Sequence, residues 1–439
     1  YFIIMNNIDI LHDFNNNLIE KYNLNINETN ELTETICSVI DYFINLDPLN
    51  ISKYSFDDEL IYYVIDILKQ QFSFLNFNED IYYDLINYNY KYFGYINNDC
   101  PRRCNGDTTN ENNLFIDILD IRNKINGLRN KPQPEQRTPE WYMFRHNLIT
   151  ASSVYKVFGS ESQRNDLIYE KTNDLNLESN SSLNINDARH WGNKYEDLSI
   201  MFYEVFFDTK VEDFGCLPHD KYTFIGASPD GINIKEDNIR YGRMLEIKNV
   251  VSRVITGIPK EDYWIQMQQQ LEVCDLNECD FLETKFIEYS NFDEFENDEE
   301  SFYGVSQQVI NKEDITSLTN SKGMAILHIK DNKCFYDFMP LNINNINEME
   351  LWKNEIMKKY ENDSSYMWIK DIYWKLNVIS CVLVLRNKLW FKYALPKIKS
   401  LWDIIAENKK TGKKIVKEKK SKKRKKNDEC LFVIDTSDC

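Results

Sequence analysis

No stretch of 18 or more apolar residues occurs in this 439-residue chain, so no helix-length membrane span is encoded. The opening stretch "YFIIMNNIDI" lacks a basic flank and is too short for an apolar leader, so it does not read as a signal peptide; Met5 is a candidate start. The ten cysteines are scattered. The close pairs, Cys100 with Cys104 ("CPRRC") and Cys274 with Cys279, are not followed by a second C-x2-C or H-x3-H set. That argues against a zinc site and for free thiols in a reducing compartment. The five histidines, His12, His146, His190, His219 and His328, show no ligand spacing. No internal repeat is found, which sets aside a repeat architecture. Glycine and proline are few, while Asn, Ile, Lys and Tyr are abundant, the bias of an AT-rich coding genome.

What is present supports folded cores: 42% of residues are apolar and 14% aromatic, over a length that allows two or three domains. The net charge of −18 is unevenly spread. Residues Lys409 to Lys426, "KKTGKKIVKEKKSKKRKK", hold twelve Lys/Arg and one Glu, a local +11 that leaves −29 on the rest. An acidic body with a basic tail is a sign asymmetry. A solvated disordered tail, a nuclear import signal and a nucleic-acid tether all fit it.

Residues 1–130 read as a mostly helical N-terminal region, with apolar residues at three- and four-residue steps in "ELTETICSVIDYFINLD" and "FDDELIYYVIDILKQQFSFL". The Tyr-rich "EDIYYDLINYNYKYFGYI" continues the pattern, its Tyr stripe reading as core packing. Three prolines from Pro132 to Pro139 mark a linker and place a boundary near residue 130. Helices and strands then alternate. "EWYMFRHNLITASSVYKVFG" is helical with a break at its Ile-Thr-Ala-Ser, and "DARHWGNKYEDLSIMFYEVFF" is an amphipathic helix. "TFIGASPDGINI" is strand, turn, strand; "MLEIKNVV" is a strand; "EDYWIQMQQQLEVCDL" is a helix; "CDFLETKFIEY" is a strand. "ISCVLVLRNKLWFKYALPKIKSLWDII" is a strand followed by a helix. The order predicts an α+β fold with helices around a central mixed sheet, over 131–407, in which 290–370 is an insertion or elaboration. Residues 408–439 form the basic tail.

In "SPDGINIKEDNIRYGRMLEIKN" a turn holding Asp230 is followed by a strand holding Glu246 and Lys248. Strand side chains alternate, so Glu246 and Lys248 share a face while Leu245 and Ile247 take the other. Read singly, Asp230 is a turn former and the Glu246 and Lys248 pair an ion pair at a sheet edge. Read together, Asp230 and Glu246 can hold a hard divalent cation, with the backbone carbonyl of Ile247 as a further ligand. Glu196 lies on the preceding helix. A lysine beside such a site orients water or stabilises phosphoryl charge, which suits phosphodiester hydrolysis. The stretch "INIKEDNIRYGR" between the two halves reads as a variable hairpin loop.

The blocks "EWYMFRHNLITAS", "WGNKYEDLSIMFYE", "GASPDGI", "LEIK" and "YWIQMQQQL" stand in the order found in the lambda-exonuclease-like (YqaJ-type viral recombinase) nucleases of the PD-(D/E)XK superfamily, especially forms from large DNA viruses. The resemblance covers roughly residues 131–290 and resumes at 376–405 with the final strand and helix. It implies a restriction-endonuclease-like core. It implies that Asp230 and Glu246, with the Ile247 carbonyl and Glu196, are metal ligands, that Lys248 positions or activates water, and that Gln268, with Gln266 beside it, assists from the following helix. Arg145 and Ser152, with Thr150 and Ser153 beside it, match the phosphate-binding block. Trp141 reads as packing, and His146 and His190 lie near motif residues.

The implied activity is a Mg²⁺-dependent DNA exonuclease, with Mn²⁺ as a substitute cation, acting on double-stranded DNA ends, 5′ to 3′, in viral recombination, replication or repair. The alternatives are a structure-specific endonuclease, a non-catalytic DNA-binding protein on the same fold, and a structural virion or host-interaction protein. A single-strand annealing protein and a ring-like homo-oligomer are the implied partners, with no membrane. The implied location is the host cytoplasm (a viral factory) or the nucleus. The N-terminal region, the 290–370 insertion, the lysine tail and the acidic body depart from the compact bacterial-virus members.

Overall fold

The computed structural model describes residues 25–72, 77–97, 103–104, 117–136, 138–175, 188–298, 321–330, 333–361, 363 and 365–412. The expectations for the tail beyond Gly412 lie outside these residues.

The N-terminal region folds as helices because each one carries a four-residue apolar stripe and start signals. Helix α1 (Ile26–Leu46) opens with Asn25 and Glu28 in a reciprocal capping box and buries Leu32, Ile36, Ile40 and Ile44 on one face. After a 3-10 turn (Pro48–Ser52), α2 (Phe56–Gln71) buries Leu60, Val64 and Leu68, and α3 (Glu79–Asn97) packs against both. The tyrosines of α3 divide: Tyr82 and Tyr90 are core, while Tyr83 and Tyr88 face solvent. Helix α4 (Ile118–Arg129) is fixed to the rest of the chain by ion pairs from Arg122 to Glu236, Lys124 to Asp275 and Arg129 to Glu212. One apolar core runs from Leu32 through Phe93 to Trp264 and Ile405, without a break at the prolines.

The following helices are α5 (Pro139–His146), α6 (Ala151–Phe158), α7 (Glu161–Thr172), α8 (Ala188–Phe206) and α9 (Glu261–Cys274). Then come α10 (Phe292–Asn297), α11 (Ile346–Glu361) and α12 (Lys388–Thr411). The strands are β1 (Ile149–Thr150), β2 (Val211–Glu212), β3 (Leu217–Pro218), β4 (Ile225–Ala227), β5 (Gly231–Asn233), β6 (Met244–Asn249), β7 (Glu278–Glu288), β8 (Lys322–Lys330), β9 (Lys333–Phe338) and β10 (Met367–Leu385). The seven-stranded sheet has the order β2-β5-β6-β7-β10-β8-β9, and a three-stranded sheet the order β1-β4-β3. Strands β6 and β7 are parallel, so the chain between them must cross over, and α9 is that crossover. The architecture is the mixed α+β sheet flanked by helices that the alternation predicts.

The 19-residue β10 spans two partners: Met367–Lys375 pairs with β8, and Trp374–Leu385 with β7. The stretch 290–370 thus widens the sheet by β8, β9 and the first part of β10, with α10 and α11 over one face.

The segment expected as a variable hairpin loop is tied down instead. Arg240, Tyr241 and Arg243 are buried. Both guanidinium groups pair with the buried Asp280 of β7, which also accepts from Tyr203 Oη at 2.6 Å. Gly242 has φ +78°, and a Cβ there would come 2.4 Å from Ile121, so the turn needs glycine twice over. This network locks the β5–β6 hairpin, and with it the turn carrying Asp230, against β7.

Candidate active site

Period-two alternation in β6 places Glu246 and Lys248 on the face covered by α9, while Leu245 and Ile247 pack under α8. Glu246 is fully buried, which an ionised carboxylate tolerates only with partners. It has three: the Lys248 ammonium and Gln266 Nε2 (2.7 Å) on Oε1, and Gln270 Nε2 (2.7 Å) on Oε2. A carboxylate offers about four lone-pair sites, so one remains, on Oε2. The Glu246–Lys248 ion pair that the strand alone suggests is therefore real, but it is not the whole arrangement.

Asp230 sits in the turn between β4 and β5, half-buried. Its Oδ2 accepts the Ile247 amide at 2.7 Å. Pairing of β5 with β6 ends at Leu245, and the N–H and C=O of a strand residue point to the same side, so the Ile247 carbonyl lies on the edge facing Asp230. Burial, then the neighbouring Glu246 charge and that of Glu196, push the Asp230 carboxyl well above the usual range, against Lys248 and the Ile247 N–H. Burial disfavours charge on Lys248 as well, but Glu246 and Asp230 outweigh it, and the ammonium is held charged.

Glu196 is brought to this edge by α8. Asn249, the last residue of β6, donates to the Gly192 carbonyl (2.7 Å) and accepts from Ser199 Oγ (2.7 Å). Glu196 lies between these two clamps, four residues after one and three before the other, so all three share a helix face. Three carboxylates thus converge with one lysine. Among the described residues no group of three or more Asp, Glu, His or Cys side chains is placed to hold a metal ion. Two carboxylates and a carbonyl, completed by water and substrate oxygens, are the donor set that Mg²⁺ takes.

The run of glutamines resolves by helical angle. Gln266 and Gln270, four apart, face Glu246, and Gln270 also donates to the Ser228 carbonyl at 3.0 Å. Gln268 points the other way: its amide donates to Leu385 O (3.0 Å) and its Oε1 accepts Asn387 N (2.6 Å), joining β10 to α12. The expectation that Gln268 assists at the site is corrected accordingly: two steps along a helix turn a side chain about 200° away. Gln269 joins the second sheet through Ile149 O and Gly226 O. Gln268→Leu and Gln270→Leu should each lower the melting temperature, since lost buried hydrogen bonds cost about 1–3 kcal/mol, but only Gln270→Leu should also lower turnover, about tenfold. Parallel melting curves and rates would separate the two, and a Gln268 variant that melts normally yet turns over slowly would contradict the assignment.

The second group of predicted residues lies at the α5–α6 junction. Arg145 stacks over Trp141 (4.4 Å from guanidinium carbon to ring centroid) and donates to Ser152 Oγ (3.2 Å). Trp141, expected only to pack, thus also orients Arg145. Ser152 is exposed at the start of α6. Ser153 is buried and spends its hydroxyl on the Thr150 carbonyl, and Thr150 Oγ1 contacts both serines. The Arg145 charge also acts on the buried Cys216 thiol, beside Ser228, which precedes the Asp230 turn.

The histidines do not join either group. Burial, then Lys409 and Lys171, press His146 down to about 4, and His190 bonds Tyr336 Oη at 2.6 Å.

Sequence reading missed Gln270, Tyr263 and Lys171. The Tyr263 ring lies 5.1 Å from the Lys248 ammonium. Positions 263, 266 and 270 fall at i, i+3 and i+7 on α9, a signal that was available.

Residues 140–277 match the family described as YqaJ-like viral recombinase domain. The mimivirus protein R354, of Acanthamoeba polyphaga mimivirus, is 32% identical over 308 residues, covering 65% of this chain and 54% of that protein. The chain therefore spans about half the length of this relative. The alkaline exonuclease of Laribacter hongkongensis superposes with a TM-score of 0.35 at 17% identity, over 63% of this chain and 96% of the other. Its complex with dAMP gives 0.34 at 16% identity. Arg145, Ser152, Glu196, Asp230, Glu246, Lys248 and the glutamines all fall inside the span, residues 140–277, that matches the YqaJ-like viral recombinase domain.

Proposed function

We propose that the chain is a metal-dependent deoxyribonuclease that hydrolyses phosphodiester bonds from duplex ends, 5′ to 3′, in viral DNA recombination, replication or repair. The observation that carries this reading is the surplus of negative potential at the buried Asp230, where the Glu246 and Glu196 charges act against that of Lys248. A divalent cation, Mg²⁺ or Mn²⁺, would neutralise that surplus, polarise a phosphoryl oxygen and lower the pKa of a water molecule. Asp230 and Glu246 would hold it, with Glu196 acting from α8 and the Ile247 carbonyl from the strand edge.

The protein's own part is positional. Gln266 and Gln270 fix the rotamer of Glu246, so its remaining lone pair has one direction. Lys248 is held charged, so it acts as a donor, to the attacking water or to a non-bridging oxygen, and not as a base. Arg145 and Ser152 would take a terminal 5′-phosphate, which favours action at ends over internal cleavage.

The test is turnover of end-labelled duplex DNA with and without a 5′-phosphate, and of a covalently closed circle, in Mg²⁺. We expect release of label from linear DNA, faster with the 5′-phosphate, and an intact circle. Arg145→Gln should lose the phosphate preference and about tenfold in rate on phosphorylated ends. Cleavage of the circle would establish an endonuclease, and no hydrolysis of any substrate would refute a nuclease.

A further inference from the structure

Positive charge is in surplus behind Arg145. Among the described residues the Arg145 guanidinium makes no ion pair, only the contacts to Ser152 and Trp141. Lys171 of α7 is 3% exposed, yet its short bond is to a backbone oxygen, Arg145 O at 3.0 Å. Its nearest carboxylate, Glu170 Oε1, stands at 3.5 Å, and the other oxygen of Glu170 is held by Lys156 at 2.9 Å. Lys409, in the last turn of α12, donates to the next carbonyl, His146 O (3.2 Å), and to Asn147 Oδ1 (2.9 Å). It too makes no ion pair among the described residues.

Burying an ammonium costs several kcal/mol unless a close partner offsets it. The buried Lys171 meets that cost at the Arg145 carbonyl, and the half-buried Lys409, from a distant part of the chain, takes the next carbonyl of the same eight-residue helix. Capping α5 explains part of this, since cations suit a helix C-terminus. It does not explain why three cations, Arg145, Lys171 and Lys409, gather there, with Glu170 and Asp174 as the nearby carboxylates. An anion would complete the balance. His146, lowered first by burial, is lowered further by the same two lysines, against Glu170 and Asp174.

We propose that Lys171 and Lys409 are positioning residues of the end-phosphate site. They hold the carboxyl end of α5 so that Arg145 is presented to a 5′-phosphate, and they supply the second and third positive charges of that site. This rests on reading Arg145 and Ser152 as the phosphate contact, and it adds elements that lie before and after the catalytic strands in sequence.

The experiment is binding of the full chain to blunt duplex DNA with a 5′-phosphate or a 5′-hydroxyl, in Ca²⁺ so that affinity is read apart from turnover. Lys171→Met and Lys409→Met each keep the side-chain length and remove the charge. The expected result is about a tenfold loss of affinity for the phosphorylated end with the first and a smaller loss with the second, and no change for the hydroxyl end. Lys409→Arg should restore the preference. In the metal-free protein, the His146 midpoint followed by NMR should rise from about 4 in both Met variants, because a positive neighbour has gone. Equal losses on both ends would show a merely structural role and overturn the proposal, as would an unchanged phosphate preference in both variants. If Lys171→Met does not fold, Lys409→Met and its Arg counterpart decide the matter. A wild type indifferent to the 5′-phosphate would instead refute the Arg145 reading itself, and the two failures are told apart by that control.

Discussion

Glu246→Gln is expected to reduce hydrolysis of duplex ends by about a thousandfold or more while leaving the chain folded, in line with removal of a group that supports transition-state charge. The substitution keeps shape but removes the charge that both Lys248 and a cation need. It also sets an amide N–H₂ among three donors, from Lys248, Gln266 and Gln270.

A second readout follows from Asp230, whose carboxyl is raised by burial and by Glu246. A carboxyl with a raised folded-state pKa stabilises the fold fully below the unfolded value, about 3.9, and that contribution is lost as pH rises through the folded value. The metal-free protein should therefore lose stability from this group as pH climbs, and Mg²⁺ should restore it. Melting temperatures with Mg²⁺ and with EDTA should differ more at pH 8 than at pH 5, and the difference should shrink in Glu246→Gln. A Mg²⁺ shift that is absent, or identical in the variant, would sink the assignment of Asp230 and Glu246 as cation ligands.

Asp280→Ala should produce the largest loss of stability. The carboxylate is wholly buried between Arg240 and Arg243 and accepts from Tyr203. Removing it strands two guanidinium groups in the core, although Arg243 keeps Glu278 at 2.9 Å. Breaking one side of a buried pair costs about 3–5 kcal/mol, a large share of the 5–15 kcal/mol by which domains are stable. Urea unfolding measures this directly. Replacing Arg240, Arg243 and Asp280 together by apolar residues should cost less than the single change, because the one carboxylate that loses a partner, Glu278, is partly exposed to water. A single variant that unfolds like wild type would show that the network does not hold the β5–β6 hairpin. Because that hairpin carries the Asp230 turn, activity should fall along with stability in the single variant.

How much of this could be read from the sequence depends on distance along the chain. Glu246 and Lys248 were legible because period-two alternation is a local rule, and Asp230 because proline and glycine flank it. The helices of the N-terminal region were legible by their four-residue stripes. Of the two glutamines at the site, Gln266 was named only beside Gln268 and Gln270 not at all, since four glutamines between 266 and 270 look alike until the helix is oriented by what it packs on. The stretch from Ile232 to Arg243 looked like solvated loop because its charges are compensated by Asp280, about forty residues further on. Lys171 carried no mark at all: a lysine in a polar helix reads as surface, and only the carbonyl of Arg145 explains its burial. The length of β10 was half hidden, because its first residues alternate Trp, Lys and Asp with apolar ones while its second part is a plain apolar run.

That long strand has a consequence for the making of the protein. During synthesis β7 emerges with β6 on one side, but its other edge waits for Trp374–Leu385, some ninety residues later. At 5–20 residues per second the wait is on the order of 5 to 20 s. For that interval the newborn chain exposes an eleven-residue edge that carries Phe281, Leu282, Phe286 and Ile287, an open ladder of the kind that recruits foreign strands. Slow translation, or a chain cut short before residue 374, would leave this edge uncovered, so truncated products should collect in aggregates and full-length protein in the supernatant.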